Sequence, residues 1–324
     1  MAPILRVEKK PAREEVYQTS LEPKYQLIAR DELHENEYSR EPALAQLREF
    51  IVKHPQIKQC RMDSAFLLRF LRNRKFNVTA ACDAIVRYLT MKTLHPEFFN
   101  FDPLHLNKLI GEHLVVPLGQ DAEGRLVLLI RYGQFNPEEH SPERQVNMIG
   151  LAIETHFDNE QYQVTGIVVV IDMLGISLAH LAVLTVPKLK VMTTITGEMK
   201  MVRIKKVHLL RVPSLAAKLA EFWISTTPAK LQQRMKFHKT LDTLKDDIDP
   251  EVLPTIYGGK QSLEEANEKF HKLALSQRDR FLKQAEMYID LSIPAPNAKN
   301  ANAALQSSVA DESVIGSFRK LNVD

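Results

Sequence analysis

At 324 residues, 44% hydrophobic and 26% charged, the chain has the composition of a globular protein with room for a sizeable core, outside any disordered or fibrous class. Its net charge is only +3, and two cysteines, Cys60 and Cys82, are too few for a disulfide framework, which fits a reducing cytosol. The charged start, residues 1–15, has no apolar h-region, and no apolar run approaches the roughly 20 residues of a spanning helix. A cytoplasmic protein with at most peripheral membrane contact is expected.

Residues 1–40 are polar and mixed in charge and predict an arm of exposed helix or irregular chain. Pro42, after Glu41, marks the first turn of a helix with Leu44, Leu47, Phe50 and Ile51 at helical spacing, ended by His54-Pro55. Asp63 is a candidate N-cap for a second helix, Phe66-Leu-Leu-Arg-Phe-Leu-Arg72. There Phe66/Phe70 and Leu67/Leu71 form a buried stripe, and Arg69 and Arg72 fall together on the other side. Arg74 and Lys75 follow in the connection. A third helix over 78–94 stops at His95-Pro96 and completes a helical bundle over 41–110.

The pattern then changes. Leu114-Val-Val-Pro-Leu118 and Leu126-Val-Leu-Leu-Ile130 read as strands around a turn at 121–124, and 146–157 as an apolar-rich helix. Gly166-Ile-Val-Val-Val-Ile-Asp172 has the β-branched continuity of a strand buried on both faces. Residues 178–194 read as helix bent by Pro187, 206–212 as strand, 215–224 as helix and 235–238 as a last short strand. This alternation predicts an α/β domain over 111–260, a mostly parallel sheet covered by helices. Ser262-Leu-Glu-Glu265 is a capping box opening a long helix to about residue 288, in a C-terminal segment over 261–292. A low-complexity linker and tail fill 293–324.

Charge is unevenly placed. Residues 200–245 hold 11 Lys and Arg against two acids, Glu221 and Asp242, leaving 32 basic and 38 acidic residues elsewhere. A local excess of that size points to an anionic partner. Nucleic acid is the weaker choice, because no aromatics for base stacking interleave the cations from Arg203 to Arg211. Between the cations lies the helix of residues 215–224, where Leu215, Leu219, Phe222 and Trp223 make one broad stripe. Such a stripe suits plain core packing, a pocket wall or a membrane interface.

Catalytic signatures are missing. No glycine-rich phosphate loop follows any strand, no Gly-x-Ser-x-Gly elbow appears, and the histidines form no zinc-type grouping. His208, in an apolar strand, reads as a hydrogen-bonded core residue. Asp172, ending the buried strand, reads equally as a functional acid or as a cap for the following turn. The apolar surplus over 146–225 is either core or the lining of a cavity. No enzyme, metal site or cofactor is expected.

Several stretches resemble the CRAL-TRIO lipid-binding family, most closely its α-tocopherol transfer protein and cellular retinaldehyde-binding protein branch. They are Phe66-Leu-Leu-Arg-Phe-Leu-Arg-Asn-Arg-Lys-Phe76, Gly166-Ile-Val-Val-Val-Ile-Asp172, Arg203-Ile-Lys-Lys-Val-His208, Lys230 to Arg234 and Leu253-Pro-Thr-Ile-Tyr-Gly-Gly259, in the family's order. The resemblance implies the family's fold and a cytosolic, monomeric carrier of one small hydrophobic lipid, tocopherol-, retinoid- or carotenoid-like. It implies pocket positions at Val146, Ile149, Ile153, Ile167, Ile171, Leu184, Met192, Ile195, Thr196, Val202 and Ile204, under a gate helix bearing Leu215, Leu219, Phe222 and Trp223. Phosphatidylinositol phosphates of anionic membranes would meet Arg74, Arg203, Lys205, Lys230 and Arg234. The chain departs from the family at Arg211-Val-Pro213, at Ser225-Thr-Thr227, and at Ile149 and Ile153, which are serines in the tocopherol carrier. The alternative is a phosphoinositide-binding regulatory adaptor whose pocket is permanently filled.

Overall fold

The structure, a computed structural model, describes residues 6–9, 17–183, 201–217, 221, 224, 225 and 227–294. Helix α1 (Pro23–Leu33) begins at a proline and ends at His34 in the left-handed region. It belongs to the expected arm, yet it is packed: Leu21, Tyr25, Ala29 and Leu33 are buried against Val164. Helix α2 (Glu37–Lys53) starts before the expected position and contains Pro42. The Asn36 side chain accepts from the Tyr38 and Ser39 amides, and Ser39 Oγ accepts from Asn36 N, so a capping box sets the start. A proline one turn further in forfeits a single backbone bond.

After strand β1 (Ile57–Gln59) come α3 (Ser64–Asn73), capped by Asp63, and α4 (Val78–Leu94), both where their spacing predicts them. Helix α5 (Asn107–Gly111) leads into the hairpin of β2 (Val115–Gln120) and β3 (Leu126–Ile130). Then follow α6 (Pro142–His156), α7 (Glu160–Thr165), β4 (Ile167–Asp172), α8 (Leu178–Val183), β5 (Ile204–Leu210), α9 (Ala229–Gln232) and β6 (Met235–His238). The order β2-β3-β4-β5-β6 makes a five-stranded sheet, antiparallel only at its β2/β3 edge.

The C-terminal segment departs from expectation. In place of one helix to residue 288, after α10 (Leu241–Lys245) come α11 (Leu263–Ser276) and α12 (Arg278–Ala285), divided at Gln277. Strand β7 (Tyr288–Ile289) then pairs antiparallel with β1 and ties this end of the chain to the bundle.

Side-chain alternation along the strands separates two faces. Leu126, Leu128, Ile130, Ile167 and Val169 join the large core shared with the bundle and α6. Val127, Leu129, Val168, Val170 and Leu210 pack against Leu244, Leu253, Tyr257 and Leu263 behind the sheet.

The bundle meets the sheet domain through buried charge. The arginines opposite the apolar stripe of α3 do not face water: Arg69 and Arg72 are both 0% exposed. Arg69 donates to Glu154 Oε2 at 2.8 Å and Asp158 Oδ1 at 2.5 Å, and Arg61 and Arg280 reach Asp158 at 3.1 and 3.0 Å. Burial pushes the Asp158 carboxyl up, but the three arginines outweigh it and hold it well below the usual carboxylate range. Arg69→Ala would take the closest cation from buried Glu154 and one of three from half-buried Asp158, and breaking such a buried pair costs about 3–5 kcal/mol. Urea unfolding of the variant is expected to show a loss of that size; a change within about 0.5 kcal/mol, the range of ordinary surface substitutions, would contradict it.

Candidate lipid and anion site

Toward β5, on the face of the sheet that meets α6, several described apolar side chains stop being fully buried. Ile149 and Ile153 of α6, Ile171 of β4, Val202 and Ile204 are half-buried yet packed against the core. A second cluster, Met173, Ile176, Val207, Leu209 and Ala216, lies on the same face and shares Tyr132, Ile171 and Ile204 with the first as partly buried neighbours. Of the other expected lining positions, Val146 and Ile167 are each 1% exposed and sit inside the core. Leu184, Met192, Ile195 and Thr196 lie outside the described residues, as do Leu219, Phe222 and Trp223 of the expected gate. Leu215 is exposed, on a 3-10 turn (Ser214–Ala216). Ile153 and Val202 also bound a cavity of about 20 Å³ with Tyr88, Phe101 and Phe157, room for one water.

Immediately beside this face is a cation cluster. Arg203 and Lys205 alternate with Val202 and Ile204, so the start of one strand carries charged and apolar side chains in turn. Their placement depends on Gly166, which holds φ +87° where β4 begins. A Cβ there would lie 2.2 Å from the Arg203 carbonyl oxygen and 3.1 Å from both Arg203 Cβ and Lys205 Cγ. Ile167 N donates to the same Arg203 carbonyl at 2.9 Å.

The Arg203 guanidinium donates to the Val164 carbonyl and, at 2.5 Å, to Glu32 Oε2; Lys205 Nζ reaches that same oxygen at 2.9 Å. Partial burial lowers the Lys205 pKa, the Glu32 hydrogen bond raises it, and Arg203 and Arg234 lower it again, leaving it below the ordinary lysine value. Crowded cations of this kind favour an anion. Arg234, half-buried, bonds the Ile204 carbonyl, while Lys230 is exposed on α9. Arg74 is half-buried at the C-cap of α3. Sequence reasoning missed Glu32 entirely, because an acidic run such as Asp31-Glu-Leu-His-Glu35 reads as solvated surface until the fold lays it against the basic strand.

Two other candidates resolve into structural roles. The Asp172 carboxylate accepts from Leu174 N at 3.1 Å, Tyr257 Oη at 2.7 Å and Arg211 Nε at 3.0 Å, capping the turn and locking the back of the sheet. His208, His238 and Asp247 bring three potential ligand atoms within 4.8 Å of one another. However, His208 Nδ1 and His238 Nε2 are 2.9 Å apart, hydrogen-bond distance, and Lys236 Nζ lies 2.6 Å from Asp247 Oδ2, where a metal would need to be. His208 and His238 are thus buried behind the sheet and bonded to each other, while half-buried Asp247 is paired with Lys236.

Residues 111–259, from the approach to β2 to the turn before α11, match the CRAL/TRIO domain. It is 28% identical over 259 residues to the alpha-tocopherol transfer protein-like protein of Homo sapiens, covering 79% of this chain and 75% of the relative. To Clavesin-1 of Rattus norvegicus it is 29% identical over 236 residues, 71% of this chain and 67% of the relative. The crystal structure of Sfh5 superposes with TM-score 0.43 at 13% identity, covering 81% of this chain and 99% of that one. No helix among the described residues is long and apolar enough to cross a membrane.

Two predictions concern the five-stranded sheet. Gly166→Ala is expected to lower stability by about 1–3 kcal/mol, through the left-handed backbone and the blocked approach of Arg203. The same variant should perturb the NMR signals of Arg203 and Lys205 more than those of α4; the reverse order would contradict it. Burial, with His238 and nearby lysines adding, lowers the His208 pKa to about 4. Between the ordinary value near 6.5 and about 4, the unfolded chain takes up a proton that the folded imidazole refuses. Stability is therefore complete above pH 6.5 and falls as pH drops through that window. His208→Gln should flatten the slope in equilibrium unfolding; an unchanged slope would show that other groups set it.

Proposed function

We propose that the protein carries one small hydrophobic lipid, tocopherol-, retinoid- or carotenoid-like, and exchanges it at phosphoinositide-bearing membranes. The observation that carries this reading is the join at the start of β5. Half-buried Val202 and Ile204 adjoin Arg203 and Lys205, so an apolar tail and an anionic headgroup would address neighbouring residues. Support for the lipid class comes from the name of the tocopherol-transfer relative, while Ile149 and Ile153, with hydrocarbon where the tocopherol carrier has hydroxyls, favour a different or more apolar member of it.

Burying about 500 Å² of apolar ligand is worth on the order of 10 kcal/mol before ordering terms, so spontaneous release would be slow. Basic residues beside an anionic leaflet contribute about 1 kcal/mol each. Contacts made more strongly in the open form would shift the population toward exchange at the membrane.

Native mass spectrometry of protein purified from cells is expected to show one bound isoprenoid or retinoid per chain; phospholipid alone would favour a regulatory adaptor. Arg203→Ala with Lys205→Ala should weaken binding to phosphoinositide vesicles by roughly 30-fold, the ratio of about 2 kcal/mol. Transfer to those vesicles should slow while affinity for the carried lipid stays the same. Loss of both together, or of neither, would sink the mechanism.

A further inference from the structure

Glu32 occupies the anion site from within the chain. A single carboxylate oxygen, Oε2, accepts from both Arg203 and Lys205, and the side chain is 47% exposed while its two partners are 14% and 24% exposed. Partial burial raises the carboxyl, but hydrogen bonds from Lys205 and Arg203 outweigh it and keep its pKa below the ordinary value. Glu32 is thus charged at neutral pH and sits over the cations like a lid. The helix that brings it, α1, is held by a small apolar cluster with Val164, the same residue whose carbonyl takes the other branch of Arg203. Beside Glu32 an open groove of about 270 Å³ runs between α1 and the 121–125 turn, with Lys24, Arg125 and Lys205 on its walls.

The competition between this carboxylate and a phosphate has a definite direction. Glu32 offers one charge and one bonded oxygen. A phosphomonoester offers about −1.5 to −2 charges and three strong acceptor oxygens. The carboxylate has the advantage of tethering, since an intramolecular group acts at an effective concentration in the millimolar range. Weak or singly charged anions are excluded, and a phosphorylated headgroup wins.

We propose that Glu32 is a built-in surrogate for the headgroup: helix α1 closes the Arg203/Lys205 site, and a phosphorylated inositol headgroup engages it by displacing Glu32 and releasing α1. This rests on the headgroup reading of Arg203 and Lys205. The consequence is selectivity, because the site stays shut toward simple anions and opens toward polyphosphorylated ones.

The test uses the full chain, wild type, Glu32→Gln, and Arg203→Ala with Lys205→Ala. Probes are phosphatidylcholine vesicles with and without phosphatidylinositol bisphosphate, soluble inositol trisphosphate, and inorganic phosphate. Glu32→Gln should bind the doped vesicles and inositol trisphosphate roughly tenfold more tightly, the ratio of ~1.4 kcal/mol of relieved competition. Hydrogen exchange of residues 23–33 should rise in the wild type on adding inositol trisphosphate and be high in Glu32→Gln without it. Inorganic phosphate, which brings one phosphate where the headgroup brings several, should raise the wild-type exchange only at concentrations far above those of inositol trisphosphate; equal potency would overturn the selectivity. If Glu32→Gln binds no more tightly while the double variant loses binding, the surrogate role is wrong and the headgroup reading stands. If no variant binds either inositol probe, both fail. If the exchange of residues 23–33 is identical in wild type and Glu32→Gln, Glu32 does not hold the helix and the proposal is overturned whatever the vesicles show.

Discussion

The Arg72 guanidinium is the point on which the site's geometry depends. It is fully buried and divides its bonds between two segments. Toward one it makes a bidentate pair with Glu35, at 2.7 and 2.8 Å, and Arg40 joins the same carboxylate at 2.8 Å. Toward the other it bonds Glu160 at 2.6 Å and Gln163 at 2.8 Å, both in α7. A planar fork of donors in a low-dielectric interior fixes its partners in angle as well as distance. Removing it would leave two carboxylates without their main counter-charge, so the arrangement tolerates little drift.

What hangs from those two segments is the anion site. Glu35 follows the end of α1, three residues beyond Glu32, and Glu160 opens α7, which carries Val164 and ends at Thr165 before Gly166. The carboxylate facing Arg203 and the backbone beneath it are therefore positioned by a single interior cation. Glu160 is braced further by Ser20, whose amide and hydroxyl both donate to it at 2.9 Å. A burial-raised pKa at Glu160 makes its charge dependent on these donors. The N-terminal arm thus belongs to the machinery of the site, although its composition is that of a solvated tail.

Legibility in the sequence followed the range of the physics involved. Helices α3 and α4 and strands β4 and β6 were readable because caps, β-branched runs and apolar periodicity act within a few residues. The break at Gln277 and the β1/β7 pairing were not, since the first has no Gly or Pro to announce it and the second joins residues more than 200 apart. Arg69 and Arg72 show the limit most clearly. Helical spacing put them together on one face, which is correct, but spacing says nothing about what covers that face, and α6, α7 and Glu35 cover it. At the site, Arg203, Lys205 and Arg234 stood out as part of a charge excess, whereas Glu32 carried no local signal.

Residues 202–205, which lead into β5, couple the two halves of the site through covalent geometry. Successive side chains of an extended backbone point to opposite sides and cannot reorient independently, because they share peptide planes. Val202 and Ile204 pack toward the apolar core, and Arg203 and Lys205 turn toward Glu32. Gly166 lets the neighbouring strand come close enough that Arg203 is clamped by its own carbonyl as well as by its side chain. An anion that repositions these cations therefore acts on the backbone that presents Val202 and Ile204. Under the proposed function, linkage would work in both directions: whatever factor headgroup binding applied to the affinity for a carried lipid, that lipid would apply to the affinity for the headgroup. A loaded and an empty carrier would accordingly differ in their attraction to the same membrane, with direction of transfer set by which state the open site favours.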